Sequence, residues 1–231
     1  MPSAVLSSGD SEARVKELLE TPGDWVEIPN RRRGGESGVC RVHLASGEVV
    51  YRKQQIGHIY RSFRYPFGYP TVGREVKALR AASLLGVLTP LLLYSNIRRL
   101  SGEWRAVMIT TALDGFVSLE DFYAHGLDKM LGQVLHLEIL EQFGRSLALL
   151  NTGRWQHGCL YLKHIFVDFR EPDVKVALLD FEKSRRRLTA RQAGRHDLRQ
   201  VKRRSGWRTE EWRAFCLGYS EVFGVSADQL L

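Results

Sequence analysis

Residues 155–168 read WQHGCLYLKHIFVD, a stretch in which polar side chains precede an apolar run typical of a β-strand. Three of its side chains can bind a metal ion or move a proton: His157, Cys159 and His164. Residues 174–184, VKVALLDFEKS, add a second strand pattern that ends at Asp180. A loop followed by a strand and an aspartate leaves three kinds of site open: phosphoryl transfer, a metal centre and a cysteine nucleophile.

An order of residues typical of kinase N-terminal lobes precedes this stretch. The glycines of GGESGV at 34–39, with Gly35 and Gly38 as candidates, allow backbone N–H groups to approach phosphate oxygens without a Cβ clash. Lys53 ends the apolar run VVYRK and can pair with phosphates, and Glu75 in the next predicted helix can hold Lys53. Each residue alone also fits an ordinary turn, strand end or surface, but their order favours a kinase.

The loop itself follows the spacing of a kinase catalytic loop. In that loop an aspartate base stands two residues after a histidine, a metal-binding asparagine stands five residues further on, and another aspartate follows a strand to bind magnesium. His157 begins the loop here, Cys159 stands at the position of the base, and His164 stands at the position of the asparagine. Asp180 follows VALL and begins DFE in place of DFG. The spacing therefore predicts a kinase site with two altered positions.

HGCLYLKHIFVD resembles, without gaps, the HGDLHPGNIFVD type of loop in aminoglycoside and small-molecule phosphotransferases. The chain is more closely similar to the lipopolysaccharide kinase family, the heptose and Kdo kinases, and within it to the InaA-like branch. This resemblance lies in REVKALRAASLLGVLTP, WQHGCLYLKHIFV and LLDFEKSRRR and covers about residues 25–215. It implies a kinase-like fold, ATP, a divalent metal ion, and phosphorylation of a sugar hydroxyl in the lipopolysaccharide inner core at the cytoplasmic membrane face.

The resemblance also implies roles for single residues. The expected nucleotide-binding residues are Gly35, Gly38, Lys53 and Glu75, the expected metal ligands are Asp180 and His164, and the expected catalytic residues are Cys159, His157 and Asp180. Magnesium prefers oxygen ligands, so an imidazole at His164 either favours manganese or only forms a hydrogen bond.

Cys159 stands where related sugar kinases carry an aspartate. A thiol with a pKa near 8.5 is mostly protonated at neutral pH and orients a hydroxyl poorly. Because phosphoryl transfer depends mostly on positioning and electrostatics, losing the base need not abolish it. Two functions stay open: a kinase, and a pseudokinase with a nucleotide-binding or regulatory role.

The spacing disfavours two other chemistries for this loop. The side chains at 157, 159 and 164 do not match a standard structural zinc set, and the sequence offers no clear fourth ligand. The loop could also hold a cysteine–histidine nucleophile pair, but a kinase site explains better why a strand that ends at Asp180 follows it. Asp197 in RHDLRQ resembles the aspartate that braces a kinase catalytic loop from below, and a helix N-cap remains the equal alternative.

The order of predicted elements indicates an α+β fold. DWVEIP, GVCRVHL and EVVYRKQ predict strands, whereas RYPFGYP predicts a loop because of its prolines and glycine. A helix over 72–86 and two more strands follow, and the pattern then becomes mainly helical. We predict a bilobal protein-kinase-like fold in one domain, with a tail at 1–20, a strand-rich N-lobe at 21–113 and a mainly helical, shortened C-lobe at 114–231.

Composition bears on localisation and partners. Three widely spaced cysteines favour a reducing compartment, and the N-terminus turns acidic too early for a secretory signal, so a cytoplasmic protein is expected. The net charge of +8 favours anionic partners. Basic side chains at Arg61, Arg64 and residues 185–187 are predicted to engage lipopolysaccharide or the anionic inner-membrane leaflet as a peripheral protein. The sequence lacks zinc-finger or RNP1-like spacing, which disfavours nucleic acid, and the oligomeric state stays open.

Overall fold

The structure is a computed structural model that describes residues 8–32, 34–170 and 173–231. The chain divides into two compact units: one holds the residues up to Gly73 with Leu91–Ala112, and the other holds Arg74–Pro90 with Leu113–Leu231.

The strands are β1 (Gly23–Trp25), β2 (Asn30–Arg32), β3 (Gly35–His43), β4 (Val49–Ile56), β5 (Ile59–Ser62), β6 (Tyr65–Pro70), β7 (Leu92–Leu100), β8 (Glu103–Thr111), β9 (Val117–Ser118), β10 (Trp155–Gln156), β11 (Ile165–Asp168), β12 (Lys175–Leu178) and β13 (Arg185–Arg186). The helices are α1 (Ser8–Glu20), α2 (Thr71–Leu84), α3 (Leu119–Ala124), α4 (Leu127–Met130), α5 (Gln133–Thr152), α6 (Ala190–Ser205) and α7 (Thr209–Phe223).

An antiparallel sheet in the order β1-β3-β4-β8-β7 forms the first unit, and β2 pairs with the start of β3. Period-two alternation along these strands sends Val42, Val50 and Ile109 to one face, where all three are fully buried. Leu18 of α1 packs into the same cluster. The helix therefore belongs to the core of this unit.

Arg52 ties α1 to the sheet. Its guanidinium Nη1 is buried and donates to the carbonyl oxygens of Leu18, Leu19 and Thr21 at 3.1, 2.8 and 2.9 Å. These carbonyls lie at the C-terminal end of α1, where helical partners are missing and a cation is favoured. Of the predicted tail, residues 1–7 lie outside the described residues, and 8–20 form this packed helix.

The predicted loop at RYPFGYP is wrong, because β6 pairs with β5 in an antiparallel ribbon. Its stability comes from ring contacts between residues brought together by the pairing. Tyr65 and Tyr69 stack with centroids 4.5 Å apart, and Tyr60 meets both rings edge-on. A two-stranded ribbon has open edges, so prolines that cannot donate to a ladder are tolerated there.

Helices α5, α6 and α7 dominate the second unit, together with the small antiparallel sheet β12-β11-β9 and the ribbon β10-β13. The helical pattern after residue 118 is interrupted at Gly126 and Gly132, whose φ angles of 68° and 85° are left-handed. α5 is apolar on several sides and is accordingly buried along most of its length. In the described parts of the chain, we find no helix with the length and apolar character needed to cross a membrane.

Candidate active site

Asp197 holds the backbone of the HGC loop. Its carboxylate is fully buried and accepts the N–H groups of His157 at 2.6 Å and Gly158 at 3.1 Å, and the side-chain amide of Asn151 at 2.9 Å. Asp197 lies inside α6, whose N-cap is Thr189, so it is not a helix cap. Of the two alternatives for this residue, the structure therefore selects the one in which it braces the loop.

Further side chains fix the same loop from α6 and from the segment after β12. Gln200 donates to the carbonyl of Gly158 at 3.1 Å and accepts the N–H of Leu160 at 3.2 Å. Ser184 donates its hydroxyl to the carbonyl of His157 at 2.9 Å. Gly158 has a φ of 77°, and a Cβ there would lie 2.7 Å from the carbonyl oxygen of Lys183. Only glycine fits this position without strain.

His157 is fully buried against Phe181, with ring centroids 4.7 Å apart. Its Nδ1 accepts the N–H of Cys159 at 3.3 Å, which fixes the start of the loop. Burial lowers the pKa of His157 to about 4, so the imidazole is neutral at physiological pH. The geometry therefore places His157 as a support for the loop.

Cys159, His164 and Asp180 come together beside this loop. The Cys159 thiol donates to Asp180 Oδ2 at 3.4 Å, and His164 Nε2 lies 3.5 Å from the same oxygen. One ligand atom from each residue lies within 4.8 Å of the others, and within residues 8–32, 34–170 and 173–231 this group has no fourth histidine, cysteine or carboxylate. The sequence shows His157, Cys159 and His164 as side chains of one stretch that can bind a metal ion. In the structure Cys159 and His164 lie beside Asp180, and His157 is not part of the group.

Asp180 has a backbone conformation that few non-glycine residues adopt. Its φ is 65°, in the left-handed region, which aspartate and asparagine tolerate better than other residues with a side chain. The flanking chain holds it there: Leu179 donates its N–H to the carbonyl of His164 at 2.9 Å, and Glu182 donates its N–H to Asp180 Oδ1 at 3.3 Å. Positive-φ residues that the surrounding structure holds in place are concentrated at functional sites.

The hydrogen bond of His164 to the main chain determines which of its nitrogens can take a metal ion. Nδ1 lies 2.7 Å from the carbonyl oxygen of Cys159, which can only accept, so Nδ1 carries the proton. Nε2, the other ring nitrogen, faces the Asp180 carboxylate at 3.5 Å and is the one that can bind a metal ion. A histidine whose Nδ1 donates to a main-chain carbonyl while its Nε2 faces a carboxylate has the arrangement usual for metal-binding histidines.

Cys159 is not arranged as a nucleophile. Burial and the negative charge of Asp180 raise the pKa of its thiol to about 12. The thiol donates to a carboxylate, whereas a cysteine–histidine nucleophile needs an imidazole to take its proton. Cys159 is therefore a neutral donor next to Asp180.

The residues predicted to bind nucleotide lie elsewhere in the chain. Gly35 begins β3, where a Cβ would lie 2.7 Å from the backbone of Gly57, and a Cβ at Gly38 would collide with the Trp25 ring. Lys53 is half-buried on β4, opposite Val39 and Met108. Glu75 lies in α2 and is only 6% exposed. Packing alone accounts for the two glycines, and the pairing of Lys53 with Glu75 stays a prediction.

Sequence reasoning did not identify Asn151, Gln200 or Ser184 as supports of the loop. Gln200 follows Asp197 by three residues and therefore shares its face of α6, a spacing that the sequence does show. Asn151 and Ser184 carry no such signal. Their partners are main-chain atoms, the Asp197 carboxylate and the Tyr219 hydroxyl, which only the folded chain brings near.

Comparisons with known proteins give matches that cover most of the chain. The model of the lipopolysaccharide kinase (Kdo/WaaP) family matches residues 16–219. Protein InaA of Escherichia coli (strain K12) is 38% identical over 183 residues, which are 79% of this chain and 84% of that protein. A solved structure described as WaaP in complex with acyl carrier protein matches with a TM-score of 0.66 at 16% identity, over 96% of this chain and 85% of that one. The structural likeness confirms the predicted α+β, protein-kinase-like fold.

Proposed function

The chain belongs to the lipopolysaccharide kinase (Kdo/WaaP) family, and from that premise we propose that it transfers a phosphoryl group from ATP to a sugar hydroxyl of the lipopolysaccharide inner core. The observation that carries the proposal is Asp180, held in a left-handed conformation beside a loop that Asp197 braces. Rigid positioning of this kind is what phosphoryl transfer requires of a protein.

The residues near Asp180 fit a divalent metal ion. Asp180 offers a carboxylate oxygen and His164 offers Nε2, while the carbonyl of Cys159 fixes the ring by accepting from Nδ1. A metal ion bound there would neutralise charge on the transferred phosphoryl group. Lys53 is proposed to hold the nucleotide phosphates, with Glu75 holding Lys53 and with Gly35 and Gly38 near the nucleotide.

Cys159 supports a second candidate function. Its neutral thiol donates to Asp180, so it supplies no carboxylate to accept the proton of an acceptor hydroxyl. A pseudokinase that binds nucleotide without transferring phosphate would have this arrangement as well. Transfer without a base is slower, yet binding, positioning and charge neutralisation remain.

The test of the proposed function is phosphate transfer by the purified protein. Labelled ATP would be supplied with Mg²⁺ or Mn²⁺ and with lipopolysaccharide from a strain that lacks its inner-core kinases. We expect label in the lipopolysaccharide, and none without metal ion. ATP binding by calorimetry without transfer to any core sugar would favour the pseudokinase.

The ligand set predicts a preference between metal ions. An imidazole nitrogen suits Mn²⁺ better than Mg²⁺, which prefers oxygen. We expect the wild-type protein to work better with Mn²⁺, and His164→Asn, which supplies an oxygen, to change the Mn²⁺-to-Mg²⁺ rate ratio by roughly tenfold towards Mg²⁺. His125→Asn on the same unit is a control that should leave the ratio unchanged. An unaltered ratio in His164→Asn would show that His164 is not a ligand.

The β5-β6 ribbon suggests how the protein reaches a membrane-bound acceptor. Phe63 and Phe67 are 106% and 92% exposed, and Arg61 and Arg64 are exposed beside them. Aromatic rings flanked by cations are suited to the interface of an anionic leaflet. We propose that the protein is cytoplasmic and binds the inner membrane peripherally through this ribbon.

Exchange of both phenylalanines for serine tests this contact. Burying a phenylalanine contributes about 1.5–3 kcal/mol, so Phe63→Ser with Phe67→Ser should weaken vesicle binding by at least tenfold. The vesicles would contain phosphatidylcholine with and without phosphatidylglycerol, and sedimentation would measure binding. Met130→Ser with Val134→Ser is the matched control, since both side chains are exposed at 76% and 84%. Equal losses in the two double variants would contradict a specific role for the ribbon.

A further inference from the structure

A groove of about 1060 Å³ lies in the second unit, along the outward face of α6. One wall comes from residues of α6 that recur at helical spacing, and the other comes from the chain before β10 and around β13. The lining residues are Arg154, Arg186, Arg187, Leu188, Gln192, Arg195, His196, Arg199, Gln200 and Arg203. Six of these ten residues are arginines, and none is acidic.

Gathering arginines in this way is unfavourable unless an anion binds. Arg195, Arg199 and Arg203 stand four residues apart on α6, a spacing at which like charges destabilise a helix. A cleft lined by one sign of charge also concentrates the field that attracts counter-ions. Contacts that stabilise the fold account for only some of these arginines, so a ligand is the better explanation for the others.

The arginines divide into fixed and available ones. Arg195 and Arg199 donate to the carbonyl oxygens of Leu230 and Leu231 at 2.9 and 3.1 Å, which orders that wall. Arg187 is also fixed, because its Nε donates to Gln156 Oε1. By contrast, Arg154, Arg186 and Arg203 form no side-chain hydrogen bond or ion pair with any other described residue. Their guanidinium groups are available to bind phosphate or carboxylate in a bidentate manner.

The groove shares side chains with the support of the catalytic loop. Gln200 lines the groove and also bonds to Gly158 and Leu160 of the loop. His196 lines it too, with Nδ1 3.1 Å from Asp197 Oδ1, and Asp197 holds the loop N–H groups. A ligand in the groove therefore lies next to the α6 side of the loop.

We propose that this groove binds the phosphate and carboxylate groups of the glycolipid acceptor, on sugars that neighbour the hydroxyl to be phosphorylated. This assignment rests on the proposed function and names the part of the acceptor that the protein recognises. A concave site of this volume suits a sugar head group. An acidic protein is less suitable, because protein interfaces depend on buried apolar and aromatic anchors, and Leu188 is the one aliphatic residue in the lining.

Binding of rough-type lipopolysaccharide, measured by calorimetry without ATP, tests the groove. Arg186→Ala with Arg203→Ala should weaken binding about 100-fold, since each charge-assisted contact accounts for about tenfold. The control is Arg191→Ala with Arg213→Ala, which removes the same charge from exposed positions of the same unit outside the groove. We expect the control to bind as the wild type does. Chemical removal of the phosphates from the lipopolysaccharide should weaken its binding to the wild type. The affinities of the wild type and the groove variant should then differ less than they do for the intact lipopolysaccharide.

The outcomes separate this proposal from the proposed function. If the groove variant binds lipopolysaccharide as tightly as the control does, the groove proposal is overturned, whatever the transfer assay shows. If binding falls as expected but no phosphate is transferred, the kinase function fails and the groove stands. Vesicles of phosphatidylcholine with phosphatidylglycerol supply anionic lipid without the sugars. An equal loss of vesicle binding in the groove variant would overturn the assignment to sugar groups.

Discussion

Asp180→Asn is expected to lower phosphate transfer by about 10³-fold, which corresponds to the several kcal/mol that a catalytic metal ion contributes. Asp180 is the one carboxylate in the group formed with Cys159 and His164 among the described residues, so its loss removes the charge that would hold the metal ion. Asparagine is the appropriate substitution because it tolerates the left-handed conformation at φ 65° and keeps the size of the side chain.

Two measurements distinguish this loss from damage to the fold. Titration with Mn²⁺ in the presence of ATP should show weaker metal binding in Asp180→Asn, while its thermal unfolding stays close to that of the wild type. Asp168→Asn is the control: Asp168 ends β11 and forms a bidentate ion pair with Arg170, outside the metal group. The control should keep its transfer rate. A full rate in Asp180→Asn would exclude Asp180 as a metal ligand.

The sequence predicts well those features that depend on short-range patterns. β3 and β4 alternate in hydrophobicity and are joined by a short turn, so their pairing follows from local residues. The loop and Asp180 were likewise predictable from the spacing between a histidine, a strand and an aspartate. The residues that determine the hairpin lie within a few positions of one another. His157 and Asp180 are well separated in the chain, so for them the order of residues in a known motif, and not proximity, made the prediction possible.

Features that depend on distant residues could not be predicted in this way. The β5-β6 ribbon is stabilised by tyrosine rings that meet only after the strands pair. The prolines of the same segment, taken by themselves, predict a loop. The groove joins Arg154, residues 186–188 and the outward face of α6, which the sequence shows only as separate basic stretches. The sequence predicts that residues 185–187 engage either lipopolysaccharide or the anionic inner-membrane leaflet, and the position of Arg186 and Arg187 in the groove favours lipopolysaccharide.

Cys159→Asp is expected to raise phosphate transfer by about 10²–10⁴-fold, the usual contribution of a general base. The Cys159 thiol lies 3.4 Å from Asp180 Oδ2, so an aspartate would place a second carboxylate beside the first. Two adjacent carboxylates repel each other, and the pKa of one is raised unless a cation lies between them. We therefore expect Cys159→Asp to unfold at a lower temperature than the wild type without metal ion, and to recover with Mg²⁺ or Mn²⁺.

Cys159→Ser is the matched control, because a hydroxyl keeps both the size of the thiol and a donor to Asp180. Its transfer rate should stay within a few-fold of the wild-type rate, since a neutral donor supplies no base in either protein. A large loss in Cys159→Ser, from a robust wild-type rate, would mean that the thiol itself takes part in the chemistry. If no transfer occurs in the wild type, in Cys159→Ser or in Cys159→Asp, on any core sugar, then the missing carboxylate is not what prevents catalysis. The braced loop would then serve a pseudokinase, in which Asp180 and His164 hold a nucleotide-bound metal ion without turnover.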